Sequence, residues 1–251
     1  MRNVLLAWFV PAAILVLWIV AGAVHWFAPD QLAPPGRVIA ELGSLWQRGL
    51  LQQDILASVA RVFSGFAIAL ALAIVIGTLV GLNGTVERAI DPTLQAIRSV
   101  PSLAWVPLLL LWLGIGESAK VTLIAIGAFF PVYVNLVAGI HGVDRKLVEV
   151  ARILGLHPFG IAVRVVLPAA LPSLLVGARI GLTQAWLFLV AAELLASTRG
   201  LGFLLTEGQQ ISRPDEILVA ILLLAILGKL CESGMRTIER RSTAWTDGLR
   251  S

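Results

Sequence analysis

Charged residues in this chain are separated by long gaps, and the gaps decide what it can fold into. No charge falls between Arg2 and Asp30, between Arg61 and Glu87, between Arg98 and Glu117, or between Lys120 and Asp144. Two more apolar runs follow. One covers 169–194 and is interrupted by Arg179 and Glu193; the other covers 215–231 and carries Lys229 near its end. At a rise of about 1.5 Å per residue, runs of this length suit a hydrocarbon core of about 30 Å. Lipid offers no partner to a backbone N–H or C=O, so an open chain crosses it only as helix. Charged residues make up 14% of the chain, against about a quarter in soluble domains. That leaves too little polar surface to wrap a soluble core, which excludes a water-soluble enzyme and a disordered chain alike. The expectation is an all-α polytopic membrane protein with six transmembrane helices.

Basic residues set the expected orientation. With the N-terminus inside, the inner segments hold Arg2, Arg88, Arg98, Arg145, Lys146, Arg152, Arg164, Lys229, Arg236, Arg240, Arg241 and Arg250, which is 12 of the 19 Lys and Arg residues. Both termini are then cytoplasmic. Ala21-Gly22-Ala23 resembles a signal-peptide cleavage site, but the apolar run before it is longer than a signal core, so 4–27 is read as a retained span. Pro29, Pro34 and Pro35 end that helix. Val38, Leu42, Leu45 and Trp46 then recur at helical spacing, which fits either a helix lying on the outer surface or one packed on the bundle.

Several chemistries are absent from the pattern. Cys231 is the single cysteine, and His25, His141 and His157 stand far apart, so no metal-ligand spacing exists. No basic polar domain suggests nucleic acid. The phosphate-binding pattern G-x-x-x-x-G-K-[ST] is missing: Gly228-Lys229 lacks the first glycine and is followed by Leu230. The chain is therefore expected to bind no cofactor, and any ATP energy must come from a partner.

The informative stretch is the inner loop 141–168. Asp144 is a suitable N-cap, Leu147, Val148, Ala151 and Leu154 recur on one helical face, and Gly155 and Pro158 end the helix. Arg145, Lys146, Glu149 and Arg152 fall on its polar side. Physics alone leaves two readings, an interfacial helix anchored by basic residues or a docking element for a partner.

Glu149, Ala151 and Gly155, then nine residues (156–164), then Val165-Val166-Leu167-Pro168 resemble the EAA loop of ABC importer permeases. The family more often has Ala at position 150 and Ile at 165, where this chain has Val. Arg98-Ser99-Val100-Pro101, the 112–120 stretch WLGIGESAK, Phe130-Pro131-Val132-Tyr133-Val134-Asn135, Ala192-Glu193-Leu194 and Gly200-Leu201-Gly202 are similar to the nitrate/sulfonate/taurine branch, with aliphatic sulfonate permeases the nearest match. The resemblance covers most of 55–235.

This resemblance implies a type I ABC importer permease in a bacterial inner membrane. It implies a coupling helix near 144–156, with Arg145, Lys146, Glu149, Ala151, Arg152, Gly155, Leu156 and Pro168 passing motion from a cytoplasmic ABC ATPase. The implied partners are two ATPase copies carrying ATP and Mg, a second copy of this permease, an extracytoplasmic solute-binding protein and membrane lipids. The implied cargo is a small anion, an aliphatic sulfonate first, with taurine, nitrate or another small metabolite as the alternative. The division of the chain is then 1–54 as first helix and external linker, 55–235 as permease core and 236–251 as basic tail.

Two charges inside the spans are candidates for a pathway or gate. Arg179 lies 11 residues beyond Pro168, roughly 16 Å along a helix, where a charge marks either a pathway or a buried pair. Glu193 sits at the outer end of the same span, with Arg199 or Arg213 as possible partners. Arg61 reads as an interfacial anchor, and Glu207, Asp215 and Glu216 as solvated contacts for a binding protein. An ion-coupled secondary transporter would need carboxylates near the midplane, and these spans have almost none.

Overall fold

The computed structural model describes residues 2–24, 26–28 and 31–243, with main chain alone at 2–8, 11 and 196. His25, Pro29, Asp30, Arg250 and the Arg2 side chain therefore lie outside the described residues. Regular structure in the described residues is helical: α1 Arg2–Ala23, α2 Pro35–Gln47, α3 Leu50–Leu82, α4 Gly84–Ser99, a 3-10 turn Ser102–Trp105, α5 Val106–Leu113, α6 Glu117–His141, α7 Arg145–Ile153, α8 Pro158–Ile161, a π-helical turn Ala162–Val166, α9 Leu167–Ala196, α10 Leu201–Gln210 and α11 Pro214–Ser242. Four described helices are long and apolar enough to cross a membrane, namely Leu50–Leu82, Glu117–His141, Pro158–Leu195 and Pro214–Ser242. Within α1, Ala12–Ala23 is a shorter apolar helix.

The third apolar run departs from expectation. It is not one straight helix: α4 and the segment 102–113 together form a pair bent by 90°. Pro101 caps the 3-10 turn, Pro107 stands in the first turn of α5, and Gly114 ends α5 at φ 72. Proline has no N–H to continue a helix, and a left-handed φ is tolerated best by glycine. At eight residues, α5 reaches only about 12 Å.

The chain divides into two compact units, Met1–Ser58 with Ser197–Ile226 and Val59–Ala196 with Leu227–Ser251. In the larger unit, glycines let three helices approach closely. A Cβ on Gly65, Gly77 or Gly81 of α3 would fall within 3.0 Å of Ile124, Leu136 or Ile140 of α6. The constant offset makes α3 and α6 parallel. A parallel pair needs a return crossing between them, so the bent 84–113 segment must carry the chain back along the length of α6. α9 runs antiparallel to α6, with Gly139 against Ser173, Val132 against Gly181 and Gly127 against Phe188. Small residues at such contacts let backbones pack closely where lipid gives no hydrophobic drive.

Gly177 offers the clearest test of that packing. A Cβ there would meet the Asn135 Cβ at 2.7 Å and the Pro131 carbonyl oxygen at 3.0 Å. Neither atom can swing away. Gly177→Ala should therefore destabilise by about 1–3 kcal/mol despite alanine's better helix propensity, read as a lower melting temperature of the detergent-purified permease. An unchanged melting temperature would refute this α6–α9 contact. Tyr133, buried in α6, ties α4 to the same core by donating to Asp91 Oδ1 at 2.8 Å.

In the smaller unit, Trp18 Nε1 donates to the Ala33 carbonyl at 3.1 Å and the Pro34 ring packs on Gly22, which turns the chain into α2. Val38 and Leu45 of α2 are buried, while Leu42 and Trp46 are exposed. One face of α2 is thus packed and the other is open. Gly200, at φ 123, starts α10, and side chains of α3 cap it: Asp54 Oδ1 accepts from Gly200 N at 2.8 Å and Ser58 Oγ from Leu201 N at 2.9 Å. Asp215 and Glu216 are buried, contrary to the solvated role expected of them; Glu207 alone of the three is exposed. Arg213 bonds Asp215 at 2.8 Å and Glu216 at 2.6 Å, and also contacts Glu41. These bonds, that to Asp215 above all, hold the Arg213 guanidinium above its ordinary pKa. Arg213, with Arg37 at 3.9 Å from Asp215, offsets part of the cost of burying three carboxylates, a pairing that charge counting along a chain does not reveal.

Candidate functional site

Within the loop segment 144–168, α7 is a short helix closed at both ends. Asp144 Oδ1 accepts from Lys146 N at 2.9 Å, satisfying a donor the first turn cannot. At the other end Gly155 N donates to the Arg152 carbonyl at 2.9 Å and Leu156 N to the Ala151 carbonyl at 3.1 Å. With Gly155 at φ 80, this pair of bonds is a Schellman stop. His157 then caps α8, accepting from Phe159 N at 3.4 Å, with Pro158 at its first position. Pro168 cannot donate to the carbonyl four residues back, and the chain absorbs the misfit just before it as the π-helical turn Ala162–Val166.

The apolar face expected of α7 is reassigned. Ala151 is buried, 3% exposed, in a cluster with Leu136, Ile140, Ile161, Val166 and Ala170, and Val148 and Leu156 pack against that cluster. Leu147 and Leu154 point outward instead, beside Val150, Ile153 and Phe159; Ile153 is 84% exposed and Leu154 75%. Arg145, Lys146, Glu149 and Arg152 are exposed on the same element. The helix thus seats one narrow face on the bundle and leaves an apolar patch ringed by charge. A cleft of about 400 Å³ beside it is lined by Leu82, Val148, Arg152, Leu156, Pro158 and Ile161. Pro168 itself is exposed.

At the other end of α6 the charges gather. Arg61 of α3 clasps Glu117 with two bonds, Nε to Oε2 at 2.6 Å and Nη2 to Oε1 at 2.7 Å, and reaches Glu193 of α9 with Nη1 at 2.6 Å. Lys120 adds a bond to Glu117 at 3.0 Å. Arg61 is accordingly a buried three-helix clasp, not an interfacial anchor, and it is Arg61 that holds Glu193. Two cations face two carboxylates, so the cluster is neutral. A forked guanidinium serves two carboxylates with fixed geometry, which a lysine cannot do. A signal for this clasp exists in the sequence, since Arg61 begins an apolar run and Glu117 and Glu193 each lie at the end of one. Linear distance hides that the three ends meet.

Arg179 donates to Glu239 Oε2 of α11 at 2.8 Å. It is in an ion pair, and the two pathway candidates, Arg179 and Glu193, are held by separate partners. No group of three His, Cys, Asp or Glu able to hold a metal occurs among the described residues.

Residues 69–243 match the family described as binding-protein-dependent transport system inner membrane component. A Bacillus subtilis protein named as an aliphatic sulfonates transport permease, SsuC, is 40% identical over 94% of this chain and 85% of its own length. The Escherichia coli taurine transport system permease protein TauC is 36% identical over 97% of this chain and 90% of its own. Among solved structures, a chain of the inward-facing MetNI methionine ABC transporter superposes with a TM-score of 0.68 at 24% identity, covering 77% of this chain and 96% of that one, a likeness of fold. An all-helical chain with several membrane-crossing helices, matched over most of its length by transport permeases, belongs to the binding-protein-dependent transport system inner membrane components and is the multi-pass permease subunit of an ABC importer.

Proposed function

We propose that this permease imports small organic sulfonates, as a pair of copies driven by two cytoplasmic ABC ATPases and loaded by an extracytoplasmic binding protein. The observation that carries the cargo is the 40% identity to the B. subtilis sulfonate permease along nearly the whole chain. Taurine, itself an aminoalkyl sulfonate, fits the same chemistry and is favoured as second cargo by the similar TauC relative.

In this reading α7 is the coupling helix. Its exposed apolar patch and the charges of Arg145, Lys146, Glu149 and Arg152 meet the ATPase, Ala151 seats it on the bundle, Gly155 and Leu156 fix its end, and the turn before Pro168 links it to α9. Both ends are stopped, so the helix passes on a rigid-body shift without unwinding. ATP and Mg reside on the ATPase, whose nucleotide-driven closure draws the two coupling helices together. The termini are cytoplasmic, 55–235 is the working core, and Arg179 and Glu193 hold the moving helices in register.

The test is uptake of labelled ethanesulfonate by cells carrying the cognate binding protein and ATPase, with and without this chain. Chain-dependent uptake, inhibited by unlabelled sulfonates and untouched by nitrate, is expected. Chain-dependent uptake of nitrate in place of sulfonate would overturn the cargo. Failure of the chain to co-purify with the ATPase would overturn the coupling assignment.

A further inference from the structure

Resting on the sulfonate reading, we propose that the cleft at the elbow between α4 and the 3-10 turn, walled by α6 and α9, is a solute site on the transport path, with Arg98 as its anion-binding cation. The cleft measures about 450 Å³, and Arg98, Ser102, Asn135 and Gln184 line it beside Phe130 and Phe188. Pockets for small organic molecules begin at about 300 Å³.

Several cations of this unit are already engaged by carboxylates, and Arg98, which lines the cleft, is not one of them. Arg61 and Lys120 are paired with Glu117 and Glu193, Arg179 with Glu239, and Lys229 and Arg236 with Glu232. Arg98 is exposed at the last turn of α4 and has no acidic partner among the described residues. No carboxylate lines the cleft. Its other polar groups are hydroxyl or amide. Asn135 spends one N–H on the Pro131 carbonyl at 2.8 Å and keeps a second to offer.

The apolar wall is built just as specifically. Gly127 has no side chain, and the Phe188 ring lies across it, where a Cβ would stand 2.0 Å from Cδ2. Phe130 faces the same space. A forked guanidinium can hold two sulfonate oxygens at once, amide and hydroxyl donors can meet the third, and the rings can take a short alkyl chain. A singly charged anion with a small apolar tail is the solute this combination recognises.

Arg98 ends α4 before the 90° bend and Ser102 opens the 3-10 turn after it, so both arms of the elbow line the cleft. Movement of α4 against α6 and α9 would open or dismantle the site, as a binding point on a path requires.

The experiment uses the complete importer in proteoliposomes, with labelled ethanesulfonate inside or outside and ATPase activity followed in parallel. Arg98→Gln should lower uptake at least tenfold, while co-purification with the ATPase and the melting temperature stay as in the parent. Arg98→Lys should fall between the two, because a point charge keeps attraction and loses the fork. Gln184→Leu should raise the sulfonate concentration for half-maximal uptake without changing ATPase docking. Parental uptake with Arg98→Gln and Gln184→Leu transporting equally well would overturn this site and leave the sulfonate reading standing. A parent that moves no sulfonate would overturn that reading, and the site with it.

Discussion

Arg61→Ala should cost the permease about 3–5 kcal/mol, the penalty for removing one partner of a buried ion pair. The size follows from what stays behind. Glu193 is 1% exposed and would lose the guanidinium that faces it. Three helices would lose a common tie at once, because Arg61 bonds both Glu117 and Glu193. The expected readout is a melting temperature of the purified protein lowered by several degrees, with weak membrane accumulation. Arg61→Lys should recover only part of the loss, since one ammonium cannot reproduce three short bonds. The paired change Arg61→Met with Glu193→Leu should recover more, because it removes both buried charges together. If Arg61→Ala melts with the parent, the clasp contributes nothing and the three helix ends are held by packing alone.

Gly155→Glu should abolish transport while the permease still inserts and folds. The cost within the chain is small. Gly155 sits at φ 80, and a Cβ added there would have nothing within 4 Å, so a side chain meets no clash and only the left-handed strain of about 1–2 kcal/mol. The cost to a docked ATPase is large. The new carboxylate would be pressed into the partner beside the exposed Ile153 and Leu154, at about 3 kcal/mol or more for an unpaired charge, a loss of about a hundredfold in docking. Expected results are near-parental amounts in the membrane, loss of co-purifying ATPase and loss of uptake. Gly155→Ala separates strain from docking, since it carries the first cost without the second and should retain the ATPase. Normal uptake by Gly155→Glu would remove α7 as the coupling element.

Helical class, membrane insertion and the α7 segment are all legible in the residues alone. Charge gaps longer than a bilayer is thick have one physical solution for an open chain, and Asp144 and Gly155 are local signals whose hydrogen bonds close within a few residues. The 98–117 run shows where this logic stops. Its composition is that of a span, yet the break at Pro101 and the stop at Gly114 make it one arm of a bent pair with α4, and composition does not register the direction of a helix axis. α7 shows the same limit on a smaller scale. Its periodicity is plain, but which of Leu147, Val148, Ala151 and Leu154 face inward depends on where Ile140, Ile161 and Val166 stand.

The membrane, the helices, the stops of α7 and the family follow from the residues without coordinates of any partner element, because each rests on near neighbours in the chain or on a pattern of spacing. Which charges are partners follows only from the packed helices. Arg61 and Glu193 are 132 residues apart, Arg179 and Glu239 are 60 apart, and Arg98 comes to line a cleft with residues of α6 and α9. Coulomb attraction and desolvation act on distances in space, and those are set by how glycines such as Gly127 and Gly177 let α6 and α9 close on one another.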